Sequence, residues 1–530
     1  MTINAVRLEN FMAFADTGWI ELRPITLLFG RNSSGKSVII RALRLLRQSL
    51  DHVSEHAPFV FASENGVDLG KFETIAHKHA LKEPITFHFR CDLSQATTNV
   101  LDALRKRIKG LLIEGGHRPI LGNDMSTELE MGLSFAWDQK MQYVVPIAIQ
   151  IICPWDAVEK LSKHIILSAE RHLEEIEEQG SWTWSTVWTL WSELLHEHER
   201  GKTEAPWASA TFSLNVGFLP RLTALPGKTL PDDPKSTTDF GLVSNLLGEF
   251  QAVIEGFLRS IEYIGPIRPD PVRAYSLDQF DKRRWEQRGL KAFVRYLAED
   301  VDEEKGNQIS AWINRLDLGS AVKPTKYYAG DLGLMSEVNL DESTNTFKVN
   351  LVDVGFGASQ VLPILVQSVL AEQGKLVIIE QPELHLHPRA QASLADLFVN
   401  KIQKLVENPT RPEEPKREYT GVHFLLETHS EHILLRLRRR IIETASENAP
   451  KEIDINRQLT NDDLALYFAE RLHGQGIVQS VSINRLGEFE YVPAGFRDFF
   501  ADDMEEILAI SRAHRRAKAL QEGDNDSTSN

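Results

Sequence analysis

The first ninety residues alternate apolar and polar positions in short stretches that are typical of buried β-strands. Residues 3–8, 19–22 and 85–90 predict strands, and residues 25–29 form an apolar strand that runs directly into a glycine. From residue 38 to residue 50, apolar side chains recur every three or four positions, which predicts a helix. The chain therefore begins as an α/β lobe.

Strand patterns return far downstream of this first lobe. Residues 347–352, 376–379 and 422–426 are short apolar runs of the kind that forms buried strands. The chain between the two sets of strands is longer than a connection inside one lobe needs to be. We therefore expect residues 92–340 to be inserted structure.

The insertion is predicted to be mainly helical. Residues 158–178 are charged and amphipathic, and residues 242–261 repeat apolar positions three and four apart. Three tryptophans, Trp184, Trp188 and Trp191, fall on one face of a helix drawn through them.

Taken together, the pattern predicts an α/β fold with a mixed β-sheet, flanking helices and a large, mainly helical insertion. The expected domains are an N-terminal head part (1–91), the insertion (92–340, with 263–275 returning to the head), a C-terminal head part (341–508), and a basic helix end with a disordered tail (509–530).

The loop between the strand at 25–29 and the helix at 38–50 has the spacing of a phosphate-binding loop, G-x-x-x-x-G-K-[ST]. Its glycines let backbone N–H groups approach phosphates, and the helix N-terminus favours anions. The lysine neutralises phosphate charge, and the last serine hydroxyl can bind Mg²⁺. The loop predicts binding of ATP with Mg²⁺ by Gly30, Arg31, Asn32, Ser33, Ser34, Gly35, Lys36 and Ser37.

Composition narrows the class of protein. The 59 Lys and Arg residues against 75 Asp and Glu give a net charge of −16, which argues against a protein that coats nucleic acid, although a local basic groove remains open. The two cysteines, Cys91 and Cys153, provide no disulfide framework. The longest apolar run, residues 144–155, is too short to span a bilayer. We expect a soluble, cytoplasmic protein.

Three further motifs accompany the phosphate loop. The first is glycine-rich and opens a helix-like run, the second ends an apolar strand with acidic residues, and the third places a histidine within Thr-His-Ser after another apolar strand. Their candidate functional residues are Gly355, Gly357, Ser359 and Gln360 in the first, Glu380, Gln381 and Glu383 in the second, and His429 in the third.

With these motifs in this order, the chain resembles the ABC-type ATPases related to SMC heads and to the OLD (overcoming lysogenization defect) proteins of prokaryotic anti-phage operons. The resemblance covers residues 1–90 and 263–508, including the segment Tyr-Ile-Gly-Pro-Ile-Arg at 263–268. It implies an ABC-type head whose ATP lies between two copies, with the phosphate loop of one copy facing the glycine-rich signature of the other. It also implies that Glu380 and Ser37 bind Mg²⁺ and that His429 contacts the γ-phosphate.

One departure from the family pattern concerns hydrolysis. The residue after the strand-end acid is usually a glutamate that acts as general base, and here it is Gln381. An amide can hold a water but cannot take its proton, and a positioned base is worth ~10²–10⁴ in rate. Either Glu383 supplies the carboxylate and hydrolysis is slow, or the ATP-bound dimer is long-lived. We favour slow hydrolysis.

Other departures affect individual contacts. Gly355 stands where the family signature has serine, and Ser359 is the nearest hydroxyl that can compensate. Residues 68–73 resemble the loop that normally bridges Mg²⁺ through a glutamine, but they contain no amide. His385 and His387 alternate with leucines, a pattern that recurs in the family without a metal, so we do not expect them to be ligands.

The resemblance also implies a biological role for the ATPase. Many OLD-type proteins carry a nuclease that needs a glutamate and an Asp-x-Asp pair. The chain after the switch histidine contains Asp462-Asp463 and Asp502-Asp503 but no Asp-x-Asp at the end of a predicted strand. We expect no nuclease here, and instead a separately encoded effector, a nuclease or toxin, which the ATPase dimer controls as a scaffold or sensor. The tryptophan-rich segment 182–191 is either a docking surface for it or the core of the insertion.

The alternative is a DNA-engaging ATPase of the SMC or repair type. The local basic run at residues 436–440 is short and lies on a predicted helix, where charge is usually solvated. Nucleic-acid binding is therefore open but not indicated. The clustered aromatic residues of segment 487–500 are expected to form a packed cap on the lobe rather than a base-stacking platform.

Overall fold

The structure is a computed structural model of the 530-residue chain. It describes residues 3–51, 57–63, 66–92, 128–139, 142–153, 164–174, 177–178, 181–182, 185–191, 210–216, 218–224, 234–277, 290–299, 301–341, 348–406, 416–445 and 458–496.

The strands are numbered in chain order. In the first third of the chain they are β1 (Ile3–Phe11), β2 (Phe14–Asp16), β3 (Ile20–Glu21), β4 (Ile25–Gly30), β5 (Ile85–Asp92), β6 (Glu128–Asp138), β7 (Tyr143–Cys153) and β8 (His164–Glu174). They continue with β9 (Glu177–Glu178), β10 (Ser181–Trp182), β11 (Ser185–Trp191), β12 (Ala210–Val216), β13 (Leu219–Ala224), β14 (Ile261–Ile264), β15 (Tyr275–Ser276), β16 (Ala321–Tyr328), β17 (Leu334–Asp341) and β18 (Lys348–Asn350). The last are β19 (Leu376–Glu380), β20 (Gln403–Val406), β21 (Lys416–Tyr419), β22 (His423–Glu427), β23 (Leu464–Leu472), β24 (Gln475–Ser480), β25 (Ser482–Ile483) and β26 (Phe489–Tyr491).

The helices flank these strands. They are α1 (Lys36–Ser49), α2 (Phe72–Ile75), α3 (Pro234–Ser260), α4 (Lys291–Ala298), α5 (Glu303–Arg315), α6 (Phe356–Leu370), α7 (Pro388–Lys401) and α8 (Glu431–Ala445).

One large mixed sheet organises the described residues. It has 14 strands in the order β11-β8-β7-β6-β5-β1-β2-β24-β23-β4-β22-β19-β14, with β3 paired to β1. The strands from β23 to β14 are parallel to one another. The strands from β1 to β11 are antiparallel. The carboxyl ends of the parallel block therefore meet at one edge of the sheet.

Each face of this sheet has its own hydrophobic core, because side chains alternate along a strand. Leu28 in β4 and Leu425 in β22 point into the core that contains α1 and α3. Leu27 and Leu426, their chain neighbours, point into the core that contains α4 to α8. These buried runs explain why the sequence of the parallel strands is apolar on both faces.

The predicted fold class is confirmed: the molecule is α/β, with a mixed sheet and flanking helices. The predicted strands at 3–8, 19–22, 25–29, 85–90, 376–379 and 422–426 and the helix at 38–50 are all found, within three residues at each end or, at 19–22, as a shorter strand. The strand predicted at 347–352 is shorter and ends in a 3₁₀ turn at Leu351–Asp353.

The helical character predicted for the insertion is wrong over residues 128–224, where the described residues are strands. The segment predicted as a helix at 158–178 contains β8. Trp188 and Trp191 lie in β11, which pairs with β8, and Trp184 lies outside the described residues. These strands extend the head sheet outward through β6 and β7. The prediction is correct for residues 242–261, which lie in α3 except for Ile261, where β14 begins. The domain boundaries stay a prediction.

Phe489 and Phe496 form the packed part of the aromatic cap expected over residues 487–500, whereas Tyr491 is exposed and Phe499 and Phe500 lie outside the described residues. Phe496 is buried and packs against Phe29, Phe468 and Phe489, with ring centroids 6.4, 5.4 and 5.5 Å away. None of the helices in the described part of the chain has the length and apolarity needed to cross a membrane.

Candidate nucleotide-binding site

Three loops that follow parallel strands converge at one edge of the sheet. The phosphate loop follows β4, the Glu380–Gln381 turn follows β19, and the Thr428–His429 turn follows β22. Strand β22 lies between the other two, with Glu427 in register with Leu28 on one side and Glu380 on the other. The sheet thus places residues from distant parts of the chain side by side.

A cavity of about 540 Å³ lies at this edge. Its lining includes Gln381, Glu427 and His429 and the part of the phosphate loop made of Asn32, Ser33, Ser34, Gly35, Lys36 and Ser37. Gly30 and Arg31, where β4 ends and the loop begins, are not among the described lining residues. Gly35 has φ +102°, and a Cβ there would come within 2.8 Å of the Phe14 ring, so both the conformation and the space require glycine.

Lys36 is held inside the loop. Its ammonium donates to the carbonyl oxygens of Gly30 and Arg31, each at 2.8 Å. Burial lowers the pKa of Lys36, and the nearby carboxylates of Glu427 and Glu383 oppose that shift. The lysine is therefore placed where it can neutralise anionic oxygens that enter the cavity.

Ser37 contacts a carboxylate that the sequence reasoning did not single out. Its hydroxyl donates to Oε1 of Glu427 at 3.0 Å. Glu427 is 4% exposed, and burial, followed by the nearby Glu380, raises its pKa to about 7. The available signal was the match between the two strands: His423–Glu427 and Leu376–Glu380 are both short strands that end on a glutamate.

Glu380 lies beside this contact, one strand further along the sheet. Its Oε1 accepts a hydrogen bond of 2.8 Å from the hydroxyl of Tyr263, whose ring lies under the guanidinium of Arg44 at 3.8 Å. The described residues that line the cavity do not include Glu380. Its role as the principal Mg²⁺ carboxylate stays a prediction.

Gln381 occupies a strained turn that points it into the cavity. Its φ is +46°, and its backbone N–H donates to the carbonyl oxygen of Glu427 at 2.7 Å. The buried guanidinium of Arg268 holds the same turn from behind, through Nη2 to the carbonyl oxygens of Glu380 and Gln381 at 3.1 and 3.3 Å. Burial lowers the pKa of Arg268 to about 10. These contacts fix the backbone of Gln381 at the cavity.

Both carboxylate oxygens of Glu383 accept hydrogen bonds from the turn at Thr428 and His429, which we call the switch turn. One carboxylate oxygen accepts from the hydroxyl of Thr428 and the other from the backbone N–H of His429, both at 2.7 Å. Burial raises the pKa of Glu383, and these two hydrogen bonds oppose the shift. Burial, followed by Lys36, lowers the pKa of His429. The carboxylate anchors the backbone that carries the histidine, and it does not line the cavity within the described residues.

The signature residues lie apart from this cavity, whose described lining includes none of them. Gly355 caps the N-terminus of α6 and is exposed, while a Cβ on Gly357 would come within 2.7 Å of the carbonyl oxygen of His385. Ser359 and Gln360 are buried, and the Ser359 hydroxyl donates to the carbonyl oxygen of Phe356 at 2.8 Å. Of the four predicted signature residues, Gly355 is exposed, Gly357 is half-buried, and Ser359 and Gln360 are buried.

The remaining motif residues have local roles. The ring of His385 packs edge-on against Phe356 with centroids 4.7 Å apart, and Nδ1 of His387 accepts from the backbone N–H of Arg389 at the start of α7. Three residues downstream of segment 68–73 line the cavity, namely Thr74, Lys78 and His79. Asp463 is buried and accepts from the backbone and hydroxyl of Thr460. Asp502 and Asp503 lie outside the described residues.

The basic run on α8 is engaged within the molecule. Arg436 and Arg440 bind the fully buried Asp396 of α7 at 2.7 to 2.9 Å, joined by Arg315 of α5 at 2.9 Å. The other two arginines of the run are also paired: Arg438 donates to the carbonyl oxygen of Gly487, and Arg439 donates to Glu443.

Two protein-family models match the chain. A model described as "AAA ATPase domain" matches residues 1–193, which include the phosphate loop. A model described as "AAA domain, putative AbiEii toxin, Type IV TA system" matches residues 243–435, which include the other three motifs. AAA ATPase domains bind nucleotide, typically with Mg²⁺, and the matches support an ATPase.

Solved structures of SMC heads are similar to this chain at low identity, and no curated protein matches it. An SMC head bound to the C-winged helix domain of ScpA has a TM-score of 0.36 and 9% identity, covering 91% of this chain and 98% of that one. The SMC head domain from Thermotoga maritima has a TM-score of 0.35 and 8% identity, covering 91% and 100%. A Pyrococcus furiosus SMC head with an extended coiled coil, bound to the C-terminal domain of ScpA, has a TM-score of 0.33 and 9% identity, covering 91% and 96%.

The residues at the sheet edge fit a nucleotide with Mg²⁺. The phosphate loop supplies backbone donors and the Lys36 ammonium, and the hydroxyl of Ser37 and the carboxylate of Glu427 are the hard oxygen donors that Mg²⁺ prefers. One oxygen of Glu427, Oε2, is buried without a hydrogen-bond partner among the described residues, which leaves it available to a cation.

Proposed function

Taking an AAA-type ATPase as the premise, we propose that two copies of this chain enclose ATP and Mg²⁺ between them, hydrolyse the ATP slowly, and serve as a scaffold that controls a separately encoded effector in anti-phage defence. The effector would be a nuclease or a toxin. When bound, Mg²⁺ would neutralise charge on the β- and γ-phosphates. The roles of the chain's own residues follow from their positions.

One observation carries the two-copy proposal: the phosphate loop and the signature are on separate surfaces of one chain. The cavity collects the loop, Gln381, Glu427 and His429, but its described lining contains no signature residue. The exposed N-terminus of α6, with Gly355 and the 49% exposed Phe356, is available to another molecule. A second copy that presents this turn would complete the enclosure of the triphosphate, and ATP would then stabilise the dimer by mass action.

Within the site, Lys36 would bind the outer phosphate oxygens and His429 would approach the γ-phosphate from the switch turn that Glu383 anchors. Gln381 would hold the attacking water by hydrogen bonds without accepting its proton. Phosphoryl transfer depends mostly on positioning and charge, so hydrolysis would continue at a reduced rate.

The effector proposal draws on the family match that names a type IV toxin–antitoxin system. That description belongs to the matched family, and it motivates testing the product of a neighbouring gene as partner. The DNA-engaging alternative gains no support from the basic run on α8, because its four arginines are hydrogen-bonded within the molecule.

Phosphate release and sedimentation of the purified protein test the proposal together. We expect slow release from Mg·ATP that Lys36→Ala abolishes, and a shift from monomer to dimer when a non-hydrolysable ATP analogue is added. Phe356→Glu should prevent dimer formation while leaving analogue binding intact, because it places a charge on the signature surface.

Leu435→Glu is the matched control, since Leu435 on α8 is also 49% exposed and does not line the cavity. This variant should dimerise as the wild type does. A wild type that stays monomeric with saturating analogue, or a Phe356→Glu variant that dimerises normally, would overturn the two-copy proposal.

A further inference from the structure

The end of strand β22 places a carboxylate between the two sequence motifs to which metal binding is usually assigned. Glu427 is the last residue of β22, which pairs on one side with β4, where the phosphate loop starts, and on the other with β19, which ends at Glu380. Because all three strands are parallel, Glu427 lies at the same edge as both. Its position is fixed by the sheet and not by a loop.

Glu427 is buried, and only one of its two carboxylate oxygens has a hydrogen-bond partner among the described residues. It is 4% exposed, Oε1 accepts from the Ser37 hydroxyl at 3.0 Å, and Oε2 has no hydrogen-bond partner among the described residues. A buried carboxylate oxygen without a donor costs free energy. The nearby ammonium of Lys36 donates to the carbonyl oxygens of Gly30 and Arg31.

Glu380 is placed differently. Its Oε1 is held by the Tyr263 hydroxyl at 2.8 Å, and the residue is not among the described residues that line the cavity, whereas Glu427 is. The two side chains end neighbouring strands in register, so two carboxylates face one small region. A divalent cation at Glu427 would relieve their mutual repulsion.

We propose that Glu427, together with the hydroxyl of Ser37, binds the nucleotide-associated Mg²⁺ directly, and that Glu380 supports this site from the adjacent strand. Glu427 would thereby supply a protein ligand in a chain whose 68–73 segment lacks an amide. On binding, the Ser37 hydroxyl would give up its hydrogen bond to Glu427 and turn its oxygen toward the cation. This inference rests on the proposed ATPase function and adds a metal ligand to it.

The test measures the binding of Mn²⁺, a paramagnetic substitute for Mg²⁺, by electron paramagnetic resonance. The protein is the full chain, saturated with a non-hydrolysable ATP analogue. Glu427→Gln should weaken Mn²⁺ binding by at least about tenfold, since loss of even an indirect partner of a metal ligand costs 10- to 100-fold. The same variant should bind the analogue in EDTA as the wild type does. Glu380→Gln, the matched control one strand away, should have a smaller effect on Mn²⁺ affinity.

Thermal unfolding without metal is the accompanying check on folding. Glu427→Gln removes a buried charge that has one unpartnered oxygen, so its Tm should equal or exceed that of the wild type, and Glu427→Asp provides a second variant that keeps the charge. Unchanged Mn²⁺ affinity in Glu427→Gln, or a larger loss in Glu380→Gln, would overturn the inference. A wild type that binds no nucleotide would instead refute the proposed function itself.

Discussion

Gln381 shows how a single residue sets the rate expected of this site. Its backbone is fixed by the carbonyl oxygen of Glu427 and by Arg268 behind the turn, and its side chain faces the cavity. We predict that Gln381→Glu accelerates phosphate release under saturating Mg·ATP, because a carboxylate in this place can accept the proton of the attacking water. The gain can reach the ~10²–10⁴ that a positioned base is worth.

Gln381→Asn serves as the control for that substitution. It changes the length of the side chain without supplying a base, so it should not accelerate release. Equal rates for the wild type and Gln381→Glu would show that the amide is not what limits hydrolysis.

Glu383 is a positioning residue in this structure, because its two oxygens hold Thr428 and the backbone of His429. We predict that Glu383→Gln lowers phosphate release, since the amide presents a donor to one of two groups that are themselves donors. Combining it with Gln381→Glu tests the alternative that Glu383 is the base. If Glu383 positions His429, the double variant stays slow; recovery of the rate to that of Gln381→Glu alone would identify Glu383 as the replaced base.

The sequence predicted the phosphate loop, Gln381 and His429 of the cavity lining, because the motifs have fixed spacing. It did not reveal which carboxylate faces the cavity. Glu380 and Glu427 both end short strands of mostly apolar residues, and only the pairing of β22 between β4 and β19 decides that Glu427 contacts Ser37. Side-chain direction within such an edge depends on tertiary packing, which a local pattern does not contain.

At the scale of elements, the loops of the site depend on how the helices behind them are held together. Helices α5, α7 and α8 meet at the fully buried Asp396, which Arg315, Arg436 and Arg440 contact. Helix α8 starts at Glu431, directly after the turn that carries His429. Helix α8 therefore connects the turn that carries His429 to this buried ion cluster.

We predict that Asp396→Asn destabilises the protein by about 3–5 kcal/mol, because it leaves buried arginine charge without its carboxylate. The shift of the urea unfolding midpoint measures it. Glu299→Gln is the control, since it breaks the exposed pair with Arg295 and should cost less than ~1 kcal/mol. Similar shifts for the two variants would contradict a structural role for the cluster.

Elements were predicted well where continuous apolar runs form buried strands, as in β19 and β22, and poorly where the pattern alone had to choose between strand and helix. Residues 164–174 show apolar residues at spacings that a helix also satisfies, yet they pair as β8 between β7 and β11. That pairing joins segments that only the folded sheet brings together. Local periodicity cannot anticipate it, because strand preference depends on such neighbours.

At the scale of the whole molecule, the net charge of −16 bears on the two functional classes that the sequence leaves open, a dimeric scaffold and a DNA-engaging ATPase. The two classes differ in how their binding depends on salt. Two like-charged copies repel, and added salt screens that repulsion over a Debye length of ~10 Å at 0.1 M. We predict that the dimer formed with a non-hydrolysable ATP analogue is as tight or tighter at 200 mM than at 50 mM salt, as measured by sedimentation.

A DNA-engaging protein with 6–10 phosphate contacts would instead lose ~10³–10⁵ in affinity for a duplex over that range. Fluorescence anisotropy with labelled duplex, under the same two conditions, completes the comparison: steeply salt-dependent DNA binding, together with a dimer that dissociates as salt rises, would favour the DNA-engaging class over the scaffold.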